Sequence, residues 1–163
     1  MSLIFTGLAL ITVVSYVITI ALGFQTSPGS PDAIHILIGM ATAILTIVTH
    51  GLVFTYLIGT GIAVRETVEG HGLDPAYQRR TAKFKARAFP FALFSMLLVI
   101  VAAAMGARAD VGSGSASAHL TWAIIGLAFN LFSFPIEIKA IAGNGNLMDE
   151  VNDKVAEKLG LNP

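Results

Sequence analysis

Two imidazoles, His35 and His50, lie fifteen residues apart in PDAIHILIGMATAILTIVTHGLVF, residues 31–54, where Asp32 is the sole formal charge. A third, His119, opens the apolar segment HLTWAIIGLAFNLFSFPIEI. An ionisable side chain inside an apolar span is costly unless paired or ligated, so its presence points to a function. Neutral imidazole is a ligand for iron, copper and zinc. The chain has no cysteine, which excludes disulfides, thiolate-ligated metals, iron–sulfur clusters and thiol catalysis. On a helix, fifteen residues separate His35 and His50 by about 22 Å along the axis and roughly 60° in direction. The two therefore point broadly the same way at two depths.

The elements that must position them follow from composition and charge. Of the 163 residues 55% are hydrophobic and 12% charged, with a mean hydropathy of +0.76, values that select the bilayer as solvent. Spans are predicted over 3–24, 33–62, 88–107 and 118–140, giving an all-α integral membrane protein, an up-down-up-down four-transmembrane-helix bundle occupying residues 1–143. The first span lacks a basic n-region and is too long for a signal peptide. Ser30 and Pro31 suit an N-cap and first helical position for the second. RETVEGHGLDPAYQRRTAKFKAR, residues 65–87, reads as a polar loop, and Pro90 falls in the first turn of the third helix. Pro135 predicts a kink in the fourth.

GNGN at 143–146 reads as a helix breaker. Beyond it, 144–163 is predicted to be a short amphipathic cytoplasmic helix with Asn146 as N-cap. Leu147, Val151, Val155 and Leu159 form its apolar stripe, which packs on the loop, lies at the interface or docks a partner. Six of the ten basic residues, Arg65, Arg79, Arg80, Lys83, Lys85 and Arg87, fall in the 65–87 loop. Lys139, Lys154 and Lys158 share that side and Arg108 lies opposite, so the positive-inside rule places both termini on the cytoplasmic face of a cytoplasmic membrane.

His35 and His119 then sit at a similar depth near the outer face, on the second and fourth helices, which can be diagonal neighbours across a bundle. Imidazoles facing across a core are what bis-histidine haem requires. This architecture resembles the di-haem membrane cytochromes b, in which one core helix presents two histidines about four turns apart and another presents their partners. The resemblance implies haem b, one or possibly two, with His35 and His119 as axial ligands of an outer haem iron and His50 as a ligand of an inner one. The second inner ligand would fall near Ser133 or Phe134, where there is no histidine. Met96 on the third helix, a ligand from another subunit, or an open iron position would replace it.

Other readings compete at each position. Asp32 and His35 are i,i+3 and could share a metal, or His35 and His119 could rest unligated at the headgroup boundary. His50 could make an interhelical hydrogen bond to threonine or serine. Glu137 reads as an interface-solvated carboxylate and Lys139 as a snorkelling amine. His71 and Asp110 read as solvated residues of loop and turn. The small residues Gly39, Gly51, Gly59 and Gly61 suit close helix packing.

The resulting expectation is a haem b-binding protein that transfers electrons within the membrane, alone or as a subunit of a larger redox complex, with quinone as a candidate partner. The alternative is a non-catalytic accessory or assembly subunit of a membrane complex or homo-oligomer. Membrane lipid, copies of the chain and other membrane redox subunits are the partners implied, and nothing suggests nucleic acid. No acidic or polar stripe is evident through any span, which disfavours solute transport. No substrate pocket is legible, so catalysis by this chain alone is left undecided.

Overall fold

A computed structural model describes residues 1–26 and 32–161. Four helices account for nearly all of them: α1 Ser2–Gly23, α2 Ala33–His71, α3 Ala76–Asp110 and α4 Ala116–Lys158. Each contains a stretch long and apolar enough to cross a membrane, compatible with a multi-pass membrane protein. The outer surface agrees: Leu3 is 83% exposed, Leu37 67% and Phe132 60%, which suits contact with lipid rather than water.

α1 packs against α2 and α4, α3 packs against the same two, and α2 meets α4 across the middle. The pairs Gly23–His35, Thr19–Thr42 and Thr12–Thr49 run in opposite sequence order on α1 and α2. Phe5, Val53, Leu57, Ala88, Ala92, Phe134 and Ile141 form the main apolar cluster. A second cluster, Val64, Val68, Leu147 and Val151, lies farther along α2 and α4, with Tyr77 and Phe84 of α3 against it. α2, α3 and α4 thus continue as a three-helix stem, which α1 does not accompany.

Several expected boundaries move. The cap of α2 is Asp32, whose Oδ1 accepts the Ile34 N–H at 2.9 Å; Ser30 and Pro31 lie outside the described residues. The expected 65–87 loop is helical except at residues 72–75. Val64, Val68, Tyr77, Thr81 and Phe84 fall at helical spacing, and their inward face packs on α4, so tertiary burial outweighs the polar composition. Gly72 ends α2 in the left-handed conformation at φ 59°, returning its N–H to Val68, while Leu73 N–H also reaches the Val68 carbonyl. Because α3 starts at Ala76, Pro90 lies in its interior, not its first turn.

GNGN does not break α4 either. A Cβ on Gly143 would come 2.7 Å from Phe84 Cε1, so glycine is what lets α3 and α4 meet there. Asn144 donates through Nδ2 to Thr60 Oγ1 at 2.8 Å, and Leu147 is fully buried. These contacts outweigh the helix penalty of two glycines, about 2 kcal/mol in total. The tail is therefore the end of α4, and Asn146 is an interior helical residue. At its end, Lys158 donates to the His71 carbonyl, a cation placed on the C-terminus of α2. Arg80 pairs with Glu150 at 2.7 Å, also tying α3 to α4.

Candidate functional site

At the end of the bundle opposite the stem, each of the four helices contributes one residue to a cluster. His35 of α2 and His119 of α4 face each other with ring centroids 6.0 Å apart and planes at 75°. Gly23 of α1 and Gly106 of α3 lie against the two rings. A Cβ would fall 3.1 Å from His35 Cε1 at Gly23, and 2.8 Å from His119 Cε1 at Gly106. His119 Nδ1 is 2.9 Å from the Ala102 carbonyl, which can only accept, so Nδ1 carries the proton. Its Nε2 is thereby left with a free lone pair, the tautomer of a metal-ligating histidine oriented by a backbone carbonyl. His35 Nδ1 is buried and has no hydrogen-bond partner among the described residues. The pair thus holds one imidazole with its tautomer fixed and one with an unpartnered buried nitrogen. Asp32 is engaged as a helix cap, so the expected Asp32–His35 metal pair is not what its carboxylate does here. Among the described residues no three His, Cys, Asp or Glu side chains cluster as a metal site.

The second level is built differently from the expectation. His50 is fully buried, and both of its nitrogens are engaged by α4. Nδ1 lies 2.9 and 3.0 Å from the two carboxylate oxygens of Glu137, and Nε2 lies 2.7 Å from Asn130 Oδ1. The ring also stacks on Phe134, centroids 5.0 Å apart and planes at 1°. The level of the partner is the one expected, beside Ser133 and Phe134, but the partners sit one turn to either side. In this arrangement neither His50 nitrogen faces outward to an inner haem iron. Met96 is half-buried on α3, and the His50 partners come instead from α4.

Hydrogen-bond accounting assigns the protons. Asn130 Nδ2 donates to the Gly126 carbonyl at 2.8 Å, which fixes Oδ1 as the atom facing His50. An amide oxygen only accepts, so His50 Nε2 carries a proton. At Nδ1 a lone pair facing a bare carboxylate would be repulsive, so a second proton is held between imidazole and carboxyl. His50 and Glu137 together are neutral, which removes most of the cost of placing either in an apolar interior. Glu137 is accordingly 0% exposed, correcting the expectation of a carboxylate solvated at the interface. Lys139, two residues on, is exposed.

A polar seam joins the two levels, where none was read from the sequence. Ser15 and Thr19 of α1 bond Thr42 of α2 at 2.6 and 2.9 Å, Thr12 bonds Thr49 at 3.2 Å, and Ser95 of α3 donates to Ser133 of α4 at 3.2 Å. Tyr16 is buried in the same layer, beside Gly126. The signal was present as spacing. Thr42, Thr46 and Thr49, and Asn130, Ser133, Glu137 and Asn144, recur at intervals of three, four and seven, the period of one helix face.

The glycines separate packing from propensity. Gly106→Ala forces the His119 ring to shift and lowers stability by about 1–3 kcal/mol, read as an earlier thermal transition in detergent. Gly51→Ala, where an added Cβ meets nothing within 4 Å, raises stability by about 0.5–1 kcal/mol in the same assay.

Compared with known proteins, the chain matches no family model, no curated protein and no solved structure.

Proposed function

We propose that this is a b-type haem protein of the cytoplasmic membrane that carries electrons within the bilayer, alone or as a subunit of a larger redox complex. Its four helices run up-down-up-down with both termini cytoplasmic, as the concentration of Lys and Arg at the stem end supports. The observation that carries the reading is the convergence of His35 and His119 from α2 and α4 with His119 Nδ1 held on the Ala102 carbonyl.

His35 and His119 would hold the haem iron. A bound haem supplies reversible one-electron change at its iron. The protein's own residues perform the rest. The Ala102 carbonyl holds the His119 ring in one orientation and one tautomer. Gly23 and Gly106 let α1 and α3 close on the imidazoles without a Cβ between. The apolar belt excludes water, and the neutral His50–Glu137 pair places no net charge in the middle of the bundle. His50 and Met96 are given no ligand role, so one haem per chain follows.

The test is the reduced-minus-oxidised spectrum of protein purified from a host with ample haem. A b-type α band with one haem per chain is the expected result, and colourless protein overturns the reading.

A further inference from the structure

A groove between α2 and α3 crosses the level at which formal charge begins. α2 carries no Lys, Arg, Asp or Glu from Ala33 to Val64, and α3 carries none from Ala88 to Ala107. Where the stem starts, Arg65, Gln78, Thr81 and Lys85 line a pocket of about 180 Å³. Toward the middle of the bundle it adjoins an apolar cleft of about 460 Å³ between Phe54, Phe89, Leu93 and Phe94, and Lys85 lines both. Among the described residues no acidic side chain lines either one, and Glu69 accepts from Gln78 Nε2 at 3.5 Å. Among the described residues neither Arg65 nor Lys85 is in an ion pair. Gly61 opens the wall of the pocket beside the ammonium, because a Cβ there would sit 2.8 Å from Lys85 Nζ.

We propose that this groove binds an anionic phospholipid, its phosphate between Arg65 and Lys85 and an acyl chain along Phe54, Phe89 and Leu93. The chemistry is amphiphilic in the right order. Two cations outside any ion pair meet a headgroup phosphate, and the aromatic and aliphatic wall continues inward where the chain of that same lipid must run. Basic pockets between membrane helices recognise phosphate headgroups through this pairing of charge and depth. A free phosphate ion would use the pocket but leave the apolar cleft uncovered, which is why the lipid is preferred. The inference rests on the membrane reading and not on haem.

Full-length protein in detergent, loaded with phosphatidylglycerol or phosphatidylcholine, is examined by native mass spectrometry. Wild-type protein is expected to retain phosphatidylglycerol over phosphatidylcholine. The Arg65→Gln/Lys85→Gln double variant loses that preference by up to roughly 25-fold, since each basic side chain near a headgroup contributes about a fivefold factor. Lys83→Gln, an exposed cation of α3 outside the groove, keeps the preference, and Lys85→Arg keeps most of it. Helix content by circular dichroism confirms that each variant is folded. Equal retention of both lipids by wild type, an unchanged preference in the folded double variant, or displacement by millimolar inorganic phosphate each overturns the proposal. Failure of the membrane reading is distinguishable, because the chain would then stay dispersed without detergent.

Discussion

Replacing Glu137 with alanine destabilises the protein by about 3–5 kcal/mol, the range for removing one member of a buried charge-bearing pair. The reason is in the proton accounting. His50 Nδ1 loses both carboxylate contacts, Nε2 keeps Asn130, and a fully buried imidazole is left with one unpaired nitrogen beside a new cavity. For a chain of this size the apparent melting temperature in detergent falls by about 10 °C or more. His50→Ala has a loss of the same order, because the Glu137 carboxyl is then buried alone. The His50→Leu/Glu137→Leu double variant recovers part of it, since apolar replacement removes the desolvation cost of the pair along with its attraction and leaves Asn130 Oδ1 as the one orphaned acceptor. Thermal melts of wild type, His50→Ala, Glu137→Ala and His50→Ala/Glu137→Ala form a double-mutant cycle, and the leucine pair is melted beside them. Additive losses in His50→Ala and Glu137→Ala, with no recovery in the leucine pair, would sink the account of a mutually neutralising pair.

The second large effect is spectral. Under the proposed function, His35→Ala and His119→Ala each abolish the b-type α band, because each removes one of the two imidazoles that would hold the haem. His50→Leu/Glu137→Leu retains the band, since neither side chain belongs to the ligand set. The two predictions therefore cross. The outer pair controls colour and the inner pair controls stability, and each set of variants serves as the folded or coloured control for the other. A band that survives His35→Ala and His119→Ala but vanishes when His50 is replaced would reverse the assignment and place the haem at the inner level.

Charge and hydropathy made the four helices legible, together with the meeting of His35 and His119, because both follow from one-dimensional patterns: where charge stops and how far along each helix a histidine lies. The inner site escaped because its partners are not recognisable by residue type. A glutamate two residues from an exposed lysine, Lys139, resembles an interfacial carboxylate until the rotation of α4 about its axis is known. That rotation is set by Asn130, Ser133, Glu137 and Asn144 on one face, a face polar enough to look lipid-averse and sparse enough to be overlooked. GNGN misled for a related reason. Glycine weakens a helix in isolation, but Gly143 lies where Phe84 leaves no room for a larger residue. The 65–87 segment reads as loop by composition, whereas its inward residues repeat with helical period.

The hydrogen bonds of His50 also have a consequence for the order in which the chain is made. Its two strongest partners both belong to α4, eighty and eighty-seven positions later. A ribosome making this chain delivers α1, α2 and α3 before Asn130 and Glu137 exist. During that interval the His50 imidazole has neither of its hydrogen-bond partners. Arrival of the last helix closes the assembly and sets its register, because a slip of one turn would take both acceptors from His50 at once. Chains truncated before residue 130 lack both acceptors of His50 and are therefore unfinished in a chemical sense as well as a topological one.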